Sequence, residues 1–222
     1  MKKILIVLTS HSELGATGKK TGAYLPEVAH PYDVFVDAGL HVDFASIRGG
    51  RAPLDGLDAK DESSQRFLAD PHLQARLRET PALANLDPAE YAAIFFAGGH
   101  GTMWDFPEDS AVARVAGAVY ERGGVVAAVC HGPAALLAIQ SNGAPIVREK
   151  RVAAFTNAEE EAVGLTNVVP FLLADALTAQ GAKHEPAPNF KANVVVDGRL
   201  VTGQNPASAR PVAEAVARLV SA

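Results

Sequence analysis

Runs of apolar residues recur along the chain at the length and spacing of buried strands. They cover residues 4–9, 41–47, 92–97, 125–129 and 152–155, and segments with helical periodicity lie between most of them. Strands that alternate with helices form a parallel sheet, because each helix carries the chain back to the edge where it started. The runs at 4–9, 92–97 and 125–129 are apolar on both faces, which is typical of central strands with helices on either side. The pattern predicts an α/β fold: a doubly wound, mostly parallel, flavodoxin-like sandwich.

Helices and one hairpin complete the predicted architecture. The helical segments are residues 22–38, 109–122, 133–139, 166–180 and 207–220, and glycines at 39, 123 and 181 follow three of them as stop signals. Late in the chain, residues 193–196 and 199–202 flank the turn dipeptide Asp197-Gly198. These two short runs predict an added antiparallel hairpin at the edge of the sheet.

The 222 residues are about the size of one α/β domain, and we expect one domain over residues 1–222. Residues 49–86 differ from the rest because they are rich in charge, proline and glycine and carry only short helical patches. They predict an inserted excursion between two strands. Such insertions often rim or cover a binding site.

Composition and charge exclude several kinds of partner. Apolar residues make up 48% and charged residues 20%, which is typical of a globular protein, and the formal net charge is −5. Basic residues form no cluster, so we expect no nucleic-acid and no membrane partner. The apolar run at residues 4–8 is too short for a signal peptide or a membrane span. One cysteine cannot form an internal disulfide, which favours a cytoplasmic location.

That single cysteine, Cys130, is the strongest chemical signal in the chain. It ends the apolar run 125–129 and is followed by His131-Gly132-Pro133 and a helix-forming segment. A thiol at the start of a helix lies near unpaired N–H groups, which favour the thiolate. Ala128 and Gly132 are the small flanking residues of a nucleophile elbow, although alanine replaces the first glycine of that motif. We predict a nucleophile; the alternative is a buried cysteine that packs as a small hydrophobe.

A second turn rich in glycine follows another predicted strand. Gly98, Gly99 and His100 come directly after the run at residues 92–97. Glycine backbone can approach a ligand closely and present N–H groups to a developing oxyanion. We expect this turn to contact substrate, with Gly99 as one oxyanion donor, the Cys130–His131 backbone as the second, and His100 as a further substrate contact.

The sequence predicts no cofactor and no metal. It contains no G-x-G-x-x-G motif, and residues 15–21 match a phosphate loop only in part. The seven histidines show neither H-E-x-x-H nor H-x-H spacing. The stretch after the first strand slightly resembles a flavodoxin phosphate loop, so an FMN-binding module is the main non-catalytic alternative. An FMN-binding module would leave the predicted nucleophile elbow at Cys130 unexplained.

Four segments, residues 21–31, 97–102, 127–133 and 201–208, together resemble the ThiJ/PfpI superfamily, which has the class I glutamine amidotransferase-like fold. They are most similar to the branch of glutathione-independent glyoxalases (glyoxalase III), whose relatives are also described as stress-induced holding chaperones and protein deglycases. The resemblance implies a nucleophile at Cys130, a neighbouring His131 and a functional Glu27 on the helix after the first strand. It also implies an acidic residue that orients the histidine, for which Glu159, Glu160 and Glu161 are candidates and Glu160 is favoured by position.

Amidotransferases place a His-x-Glu unit late in the chain, where this sequence has Asn205-Pro206-Ala207-Ser208, so glutaminase chemistry is disfavoured. The resemblance implies conversion of methylglyoxal and similar 2-oxoaldehydes to 2-hydroxy acids, without a cofactor, as a glyoxalase III type hydro-lyase (D-lactate dehydratase). A thiol adds readily to an aldehyde, and a buried Glu27 with a raised pKa could move the protons. A holding chaperone, a redox sensor and a protein deglycase remain open, and the look-alikes suggest a homodimer.

Overall fold

A computed structural model describes residues 2–57 and 60–222. Its strands are β1 (Lys3–Leu8), β2 (Ala23–Tyr24), β3 (His41–Ser46), β4 (Leu54–Asp55), β5 (Ala93–Phe96), β6 (Val125–Val129), β7 (Gln140–Ser141), β8 (Ala144–Pro145), β9 (Arg151–Val152), β10 (Lys183–His184), β11 (Val194–Asp197) and β12 (Leu200–Gly203). Its α-helices are α1 (Pro26–Asp37), α2 (Glu62–Ala69), α3 (Pro71–Arg78), α4 (Thr102–Asp105), α5 (Ser110–Glu121), α6 (Asn157–Ala162), α7 (Leu173–Ala179) and α8 (Ala209–Ser221). Short 3₁₀ helices cover Leu83–Asn85, Pro88–Glu90, Gly132–Leu137 and Pro206–Ser208.

The centre of the fold is a six-stranded sheet with the strand order β11-β12-β6-β5-β1-β3. Every neighbouring pair is parallel except β11 and β12, which form the antiparallel hairpin. The predicted α/β fold, with its mostly parallel sheet and added hairpin, is confirmed.

Apolar side chains on the two faces of the sheet belong to two separate cores. In β1, Ile4, Ile6 and Leu8 lie in one core with side chains from α1, α2, α3 and α8. The alternate residues Leu5 and Val7 lie in the other core with side chains from α5, α7 and the 3₁₀ helix Gly132–Leu137. Successive side chains of a strand point to opposite faces, so a strand between two helical layers must be apolar at every position.

The predicted excursion contains β4, α2 and α3. It is fastened to the first core by Phe67, Leu73 and Leu77, all of which are buried. Its short strand β4 pairs with β2 in parallel, which brings Asp55 opposite Tyr24. The excursion therefore reaches the segment that leads into α1.

The prediction of residues 152–155 as a strand of the main sheet is wrong. Only Arg151–Val152 is extended as a strand, and it pairs with β10 in a separate two-stranded sheet. The place beside β6 is taken by β12, so the run has no free sheet edge there. Its backbone is instead held by side chains of the hairpin: the Ala153 N–H donates to Thr202 Oγ1 and the Arg151 N–H to Asp197. Burial, and not strand pairing, accounts for its apolar character.

Other element boundaries differ in ways that have local causes. The first helix begins at Pro26 and not at residue 22, because residues 23–24 are engaged with β4. The segment at 133–139 is a 3₁₀ helix, and the segment at 166–180 is helical only from Leu173. In the hairpin Asp197 pairs with Leu200, so the turn residues are Gly198 and Arg199. No helix among residues 2–57 and 60–222 has the length and apolar character needed to cross a membrane.

Parallel pairing brings the two glycine-containing turns together. Strands β5 and β6 are neighbours, with Phe96 opposite Ala128. The turns that follow them, which begin at Gly98 and Cys130, therefore lie side by side at the carboxyl edge of the sheet. Ligand sites of open parallel sheets lie at this edge.

The close contact between these turns leads to a prediction about stability. A Cβ at Gly132 would overlap the carbonyl oxygen of Phe96, whereas a Cβ at Gly117 in α5 would meet nothing closer than 3.4 Å. We expect Gly132→Ala to lower the free energy of unfolding by about 1–3 kcal/mol, as overpacking typically does. Gly117→Ala is the matched control and should be neutral or slightly stabilising, because alanine favours the helix. Urea unfolding of both variants would measure this, and an equal effect of the two would contradict it.

Candidate active site

Cys130 lies at a sharp bend between β6 and the 3₁₀ helix that follows. Its φ angle is 61°, in the left-handed region that side chains other than glycine rarely adopt. The bend is held on both sides, since the Cys130 N–H donates to Gly203 O at 2.9 Å and its carbonyl oxygen accepts from the Phe155 N–H at 3.0 Å. The elbow predicted from the small flanking residues is present.

The elbow directs the thiol toward a chain of two hydrogen-bonded groups. Cys130 Sγ lies 3.4 Å from His131 Nδ1, and His131 Nε2 lies 2.7 Å from Glu160 Oε2. Burial, followed by the neighbouring His100, lowers the pKa of His131 to about 4, although Glu160 acts in the opposite direction. The imidazole is therefore neutral at pH 7, with its proton on Nε2 facing Glu160 and its Nδ1 lone pair facing the thiol. This is the arrangement of nucleophile, base and orienting group.

The start of α6 determines which of the three adjacent glutamates faces the histidine. Thr156 caps the helix and forms a capping box with Glu159, so the Glu159 side chain turns back to the Thr156 backbone. Glu161 is exposed. Glu160 is the remaining glutamate, and it accepts a hydrogen bond from His131. Its position after Phe155-Thr156 favoured this assignment. Burial alone would raise the pKa of Glu160, but hydrogen bonds from His100 and His131 outweigh it and lower the pKa to about 2.

Glu159 has a different place in the structure. It is fully buried, and its Oε1 accepts from the Phe190 N–H at 2.7 Å, from Asn205 Nδ2 at 2.9 Å and from Gln204 Nε2 at 3.1 Å. One carboxylate thus joins α6 to the end of β12 and to the segment that carries Phe190. Local sequence patterns do not reveal this network, because its members are far apart along the chain.

His100 lies beside Glu160 and His131, whereas the sequence predicted only a contact with substrate. Its Nε2 lies 2.9 Å from Glu160 Oε1, and its ring centroid lies 4.1 Å from that of His131. Each carboxyl oxygen of Glu160 therefore faces a different histidine. The Thr102 hydroxyl lies within hydrogen-bond distance of both the Gly99 and the His131 carbonyl oxygens, which joins the glycine turn to the elbow.

Glu27 lies in the first turn of α1 and is fully buried. Neither carboxyl oxygen has a partner with good hydrogen-bond geometry. Burial raises the pKa of Glu27 to about 8, although the adjacent Cys130 thiol and the Gly98 backbone act in the opposite direction. The carboxyl group therefore holds a proton at pH 7. A Cβ at Gly98 would overlap Glu27 Oε2, so glycine is required for this close approach.

The thiol itself is not activated by its resting surroundings. Burial raises the pKa of Cys130, and the charge of an ionised Glu27 raises it further. Only the backbone N–H of His131 acts in the opposite direction. The thiolate expected from a helix start is therefore not favoured in the resting site, since a short 3₁₀ helix follows and burial dominates. A nucleophilic reaction at this sulfur would therefore need a neighbouring group to take its proton.

These residues open onto a pocket of about 410 Å³. Gly99, His100, Cys130 and His131 lie in its wall, which brings two segments of the site to one surface. Gly98 lies behind them against Glu27, and the predicted oxyanion role of Gly99 stays a prediction. Sequence reasoning did not assign the remaining wall residues to the site, because most of them come from loops without a motif: Leu14, Tyr24, Asp55, Phe155, Val163, Leu165, Phe190 and Pro206.

One group of side chains in the described part of the chain has the donor set of a metal site. His100, His131 and Glu160 each offer a ligand atom, and these atoms lie within 4.8 Å of one another. Two imidazoles and a carboxylate are ligands that zinc accepts. The same atoms form the hydrogen bonds between the histidines and Glu160, which account for their positions without an ion. The expectation of no metal stays a prediction.

Comparison with known proteins identifies the family. The sequence matches the DJ-1/PfpI family over residues 20–219. The chain belongs to the DJ-1/PfpI family. The resemblance drawn from the four sequence segments is confirmed.

Named relatives of this DJ-1/PfpI protein include fungal glyoxalases. It is 34% identical to "Glyoxalase 3" of Candida albicans, with 97% of each chain covered. It is also 34% identical to "Glutathione-independent glyoxalase HSP31" of Saccharomyces cerevisiae, with 96% of this chain and 95% of the relative covered.

Solved structures show the same fold over the whole chain. The crystal structure of Candida albicans glyoxalase III superimposes with a TM-score of 0.91 at 31% identity, covering 98% of this chain and 97% of the other. The Francisella tularensis Rapid Encystment Protein 24 KDa superimposes with a TM-score of 0.96 at 41% identity, covering 99% of each chain.

The contact between Glu27 and Cys130 predicts how the thiol titrates. Above pH 8 an ionised Glu27 opposes formation of the thiolate, so Glu27→Gln should lower the thiol pKa. Thiolate absorbance against pH reports Cys130 alone, because the chain has one cysteine. Cys130→Ser provides the blank. An unchanged thiol pKa in Glu27→Gln would show that the two groups are not coupled.

The raised pKa of Glu27 also predicts how stability varies with pH. The folded state keeps this proton up to about pH 8, whereas the unfolded chain releases it near pH 4.5, so stability falls as pH rises through this range. Glu27→Gln removes the effect, and its free energy of unfolding relative to wild type should increase by about 3 kcal/mol from pH 5 to pH 8. Denaturant unfolding at several pH values measures this. Glu161→Gln, on the exposed face of α6, is the matched control and should run parallel to wild type.

Proposed function

We propose that this DJ-1/PfpI protein is a glutathione-independent glyoxalase that converts methylglyoxal and similar 2-oxoaldehydes to 2-hydroxy acids. The observation that carries the proposal is the juxtaposition of two acid/base groups at one thiol. Cys130 has a neutral imidazole 3.4 Å from its sulfur and a protonated Glu27 carboxyl beside it. The names of the fungal relatives support the same activity.

The first step is addition of the sulfur to the aldehyde carbon. His131 Nδ1 takes the thiol proton as the S–C bond forms, and Glu27 gives its proton to the aldehyde oxygen. The product is a hemithioacetal on Cys130, with a protonated His131 and an ionised Glu27. Glu160 supports this step because its carboxylate lies 2.7 Å from the imidazole that becomes positive.

The second step moves hydrogen between the two carbons. The Glu27 carboxylate takes the proton from the former aldehyde carbon while His131 protonates the neighbouring ketone oxygen, which gives an enediol. Glu27 then delivers its proton to the neighbouring carbon, and the hydroxyl proton of the first carbon returns to His131. One carbon is oxidised and the other reduced, so the result is a thioester and no external redox cofactor is needed.

The third step is hydrolysis of the thioester. Water supplies the hydroxyl of the carboxylic acid, and its remaining proton restores Glu27. The leaving sulfur takes the proton from His131, which regenerates the resting site. The overall reaction adds one water to methylglyoxal and gives lactate. We assign the D enantiomer and the class of hydro-lyase as part of the proposal.

Three alternatives expected from the sequence differ in what Cys130 does. A redox sensor would use its oxidation to a sulfinate, a holding chaperone would not need its nucleophilicity, and a deglycase would attack adducts on proteins with the same residues. The buried, protonated Glu27 favours an acid/base reaction at the thiol. A cytoplasmic location, a homodimer and the absence of nucleic-acid and membrane partners remain predictions from the sequence.

The test is turnover of methylglyoxal without glutathione, with chiral detection of lactate. We expect D-lactate from the wild type, no measurable lactate from Cys130→Ser, and a loss of about 10²–10⁴ in kcat for Glu27→Gln, which is the usual effect of removing an acid/base group. Glu161→Gln tests for nonspecific effects of removing a carboxylate and should match wild type.

Folding of each variant must be verified by circular dichroism. A folded wild type that forms no lactate would overturn the glyoxalase proposal. In that case suppression of client aggregation by Cys130→Ser would favour the chaperone alternative. Lactate formation by a folded Cys130→Ser would overturn the covalent mechanism.

A further inference from the structure

The pocket above Cys130 is larger than methylglyoxal needs. Its volume is about 410 Å³. Binding sites of roughly 300–1,000 Å³ typically hold drug-sized ligands. A three-carbon dicarbonyl bound to the sulfur would leave most of this space to water. The side chains that line the rest of the pocket indicate which class of substrate would fill it.

That part of the pocket wall is almost entirely apolar. Apart from the elbow, the glycine turn and Asp55, the wall consists of apolar and aromatic side chains: Leu14, Tyr24, Phe155, Val163, Leu165, Phe190 and Pro206. They come from separate parts of the chain, and the fold brings them to this pocket. An apolar surface next to a nucleophile gains free energy when an apolar substituent of the substrate displaces its water.

Two of these side chains are unusually exposed. Val163 is 43% and Phe190 is 49% accessible to solvent, and both belong to the few large apolar residues exposed on the described surface. Exposed apolar residues that adjoin a pocket are typical of ligand-binding surfaces. Here they extend the apolar wall outward from the reacting sulfur.

Phe190 is also held in place at a conformational cost. Its φ angle is 59°, which is rare for a bulky residue. The Phe190 N–H donates to the buried Glu159 carboxylate at 2.7 Å, and its ring lies 6.5 Å from that of Phe155. Strained backbone that is fixed by a buried group is found mainly at functional sites. The hydrogen bond to Glu159 therefore holds Phe190 in the conformation that places its ring in the pocket wall.

The charges around the pocket restrict the substituent further. No lysine or arginine is among the described residues that form its wall, and the wall includes the acidic Asp55. Glu160 adds a second negative charge behind the two histidines. A carboxylate or phosphate on the substrate would find no cationic partner and would be repelled by both.

We propose that the preferred substrates are 2-oxoaldehydes whose ketone carbon bears a bulky, uncharged, apolar group, aromatic or branched, and that Phe190 and Val163 determine this preference by contacting that group. The inference rests on the proposed glyoxalase function. The aldehyde carbon reacts with Cys130 as described above, and the substituent occupies the apolar wall. An aryl substrate then gives the corresponding 2-hydroxy acid with the same balance of atoms, so phenylglyoxal and water give mandelate.

The experiment compares kcat/KM for phenylglyoxal and methylglyoxal, with mandelate and lactate measured directly. We expect the wild type to prefer phenylglyoxal by about tenfold or more, since the extra ring buries apolar surface that methylglyoxal lacks. In Val163→Ala and Phe190→Ala the ratio of the two constants should fall about fivefold or more. Phe190→Leu keeps an apolar contact and should give an intermediate ratio. 4,5-Dioxopentanoate, which carries a carboxylate, should be turned over more slowly than phenylglyoxal.

Val36→Ala is the matched control. Val36 is 45% exposed, close to the 43% of Val163, but it lies at the end of α1 away from the pocket wall. In Val36→Ala the ratio of kcat/KM for phenylglyoxal to that for methylglyoxal should equal the ratio in the wild type. Circular dichroism and thermal unfolding establish that the variants are folded.

The possible results separate this inference from the function on which it rests. If the folded wild type turns over neither dicarbonyl, the glyoxalase function is overturned and the substrate class with it. If it turns over methylglyoxal but does not prefer phenylglyoxal, or if the ratio is the same in Val163→Ala, Phe190→Ala and Val36→Ala, only the inference about the apolar wall is overturned. A ratio that falls in the two wall variants alone supports it.

Discussion

The left-handed backbone at Cys130 is the constraint on which the site depends. Continued alternation along β6 would place the next side chain in the second core, with Val126 and Ala128. The bend instead keeps the Cys130 side chain on the side of the first core, with Val129, at the carboxyl edge of the sheet beside His131 and Glu27. Such a conformation costs about 1–3 kcal/mol and persists only where neighbouring structure holds it. Here the carbonyl oxygen of Gly203 and the N–H of Phe155 provide that support from two other segments.

Around this bend, two carboxyl groups are kept in opposite states of ionisation. Glu27 is enclosed without a strong hydrogen-bond partner, so burial holds it neutral. Glu160 is also buried, but two histidines donate to it and keep it charged. Groups of the same chemical type thus become an acid on one side of the sulfur and an orienting anion on the other. Separation of two carboxyl pKa values by their environments is a general way to obtain acid and base chemistry at one pH.

A third carboxylate, Glu159, organises the outer part of the site. It receives hydrogen bonds from Gln204, Asn205 and the backbone of Phe190, and it also closes the capping box of α6. The same helix start therefore aims Glu160 at the histidines and fixes the segment that forms the apolar wall. Because Glu160 and Phe190 share this support, the position of the Phe190 backbone is tied to that of the Glu160 carboxylate.

The amino-acid sequence by itself determined the layers of the fold and the place of the nucleophile. Strands β5 and β6 are apolar at every position, as is β1 after Lys3, and Cys130 is flanked by small residues. Both are local patterns that need no knowledge of distant contacts. Only the tertiary structure decided that residues 152–155 leave the sheet, that Glu160 faces two histidines, that burial opposes the thiolate, and that Val163 and Phe190 line the same pocket as Cys130. Each of these depends on which distant segments come together and on how far they exclude water. Local periodicity does not encode either property, because both arise when the two cores and the loops at the sheet edge are assembled.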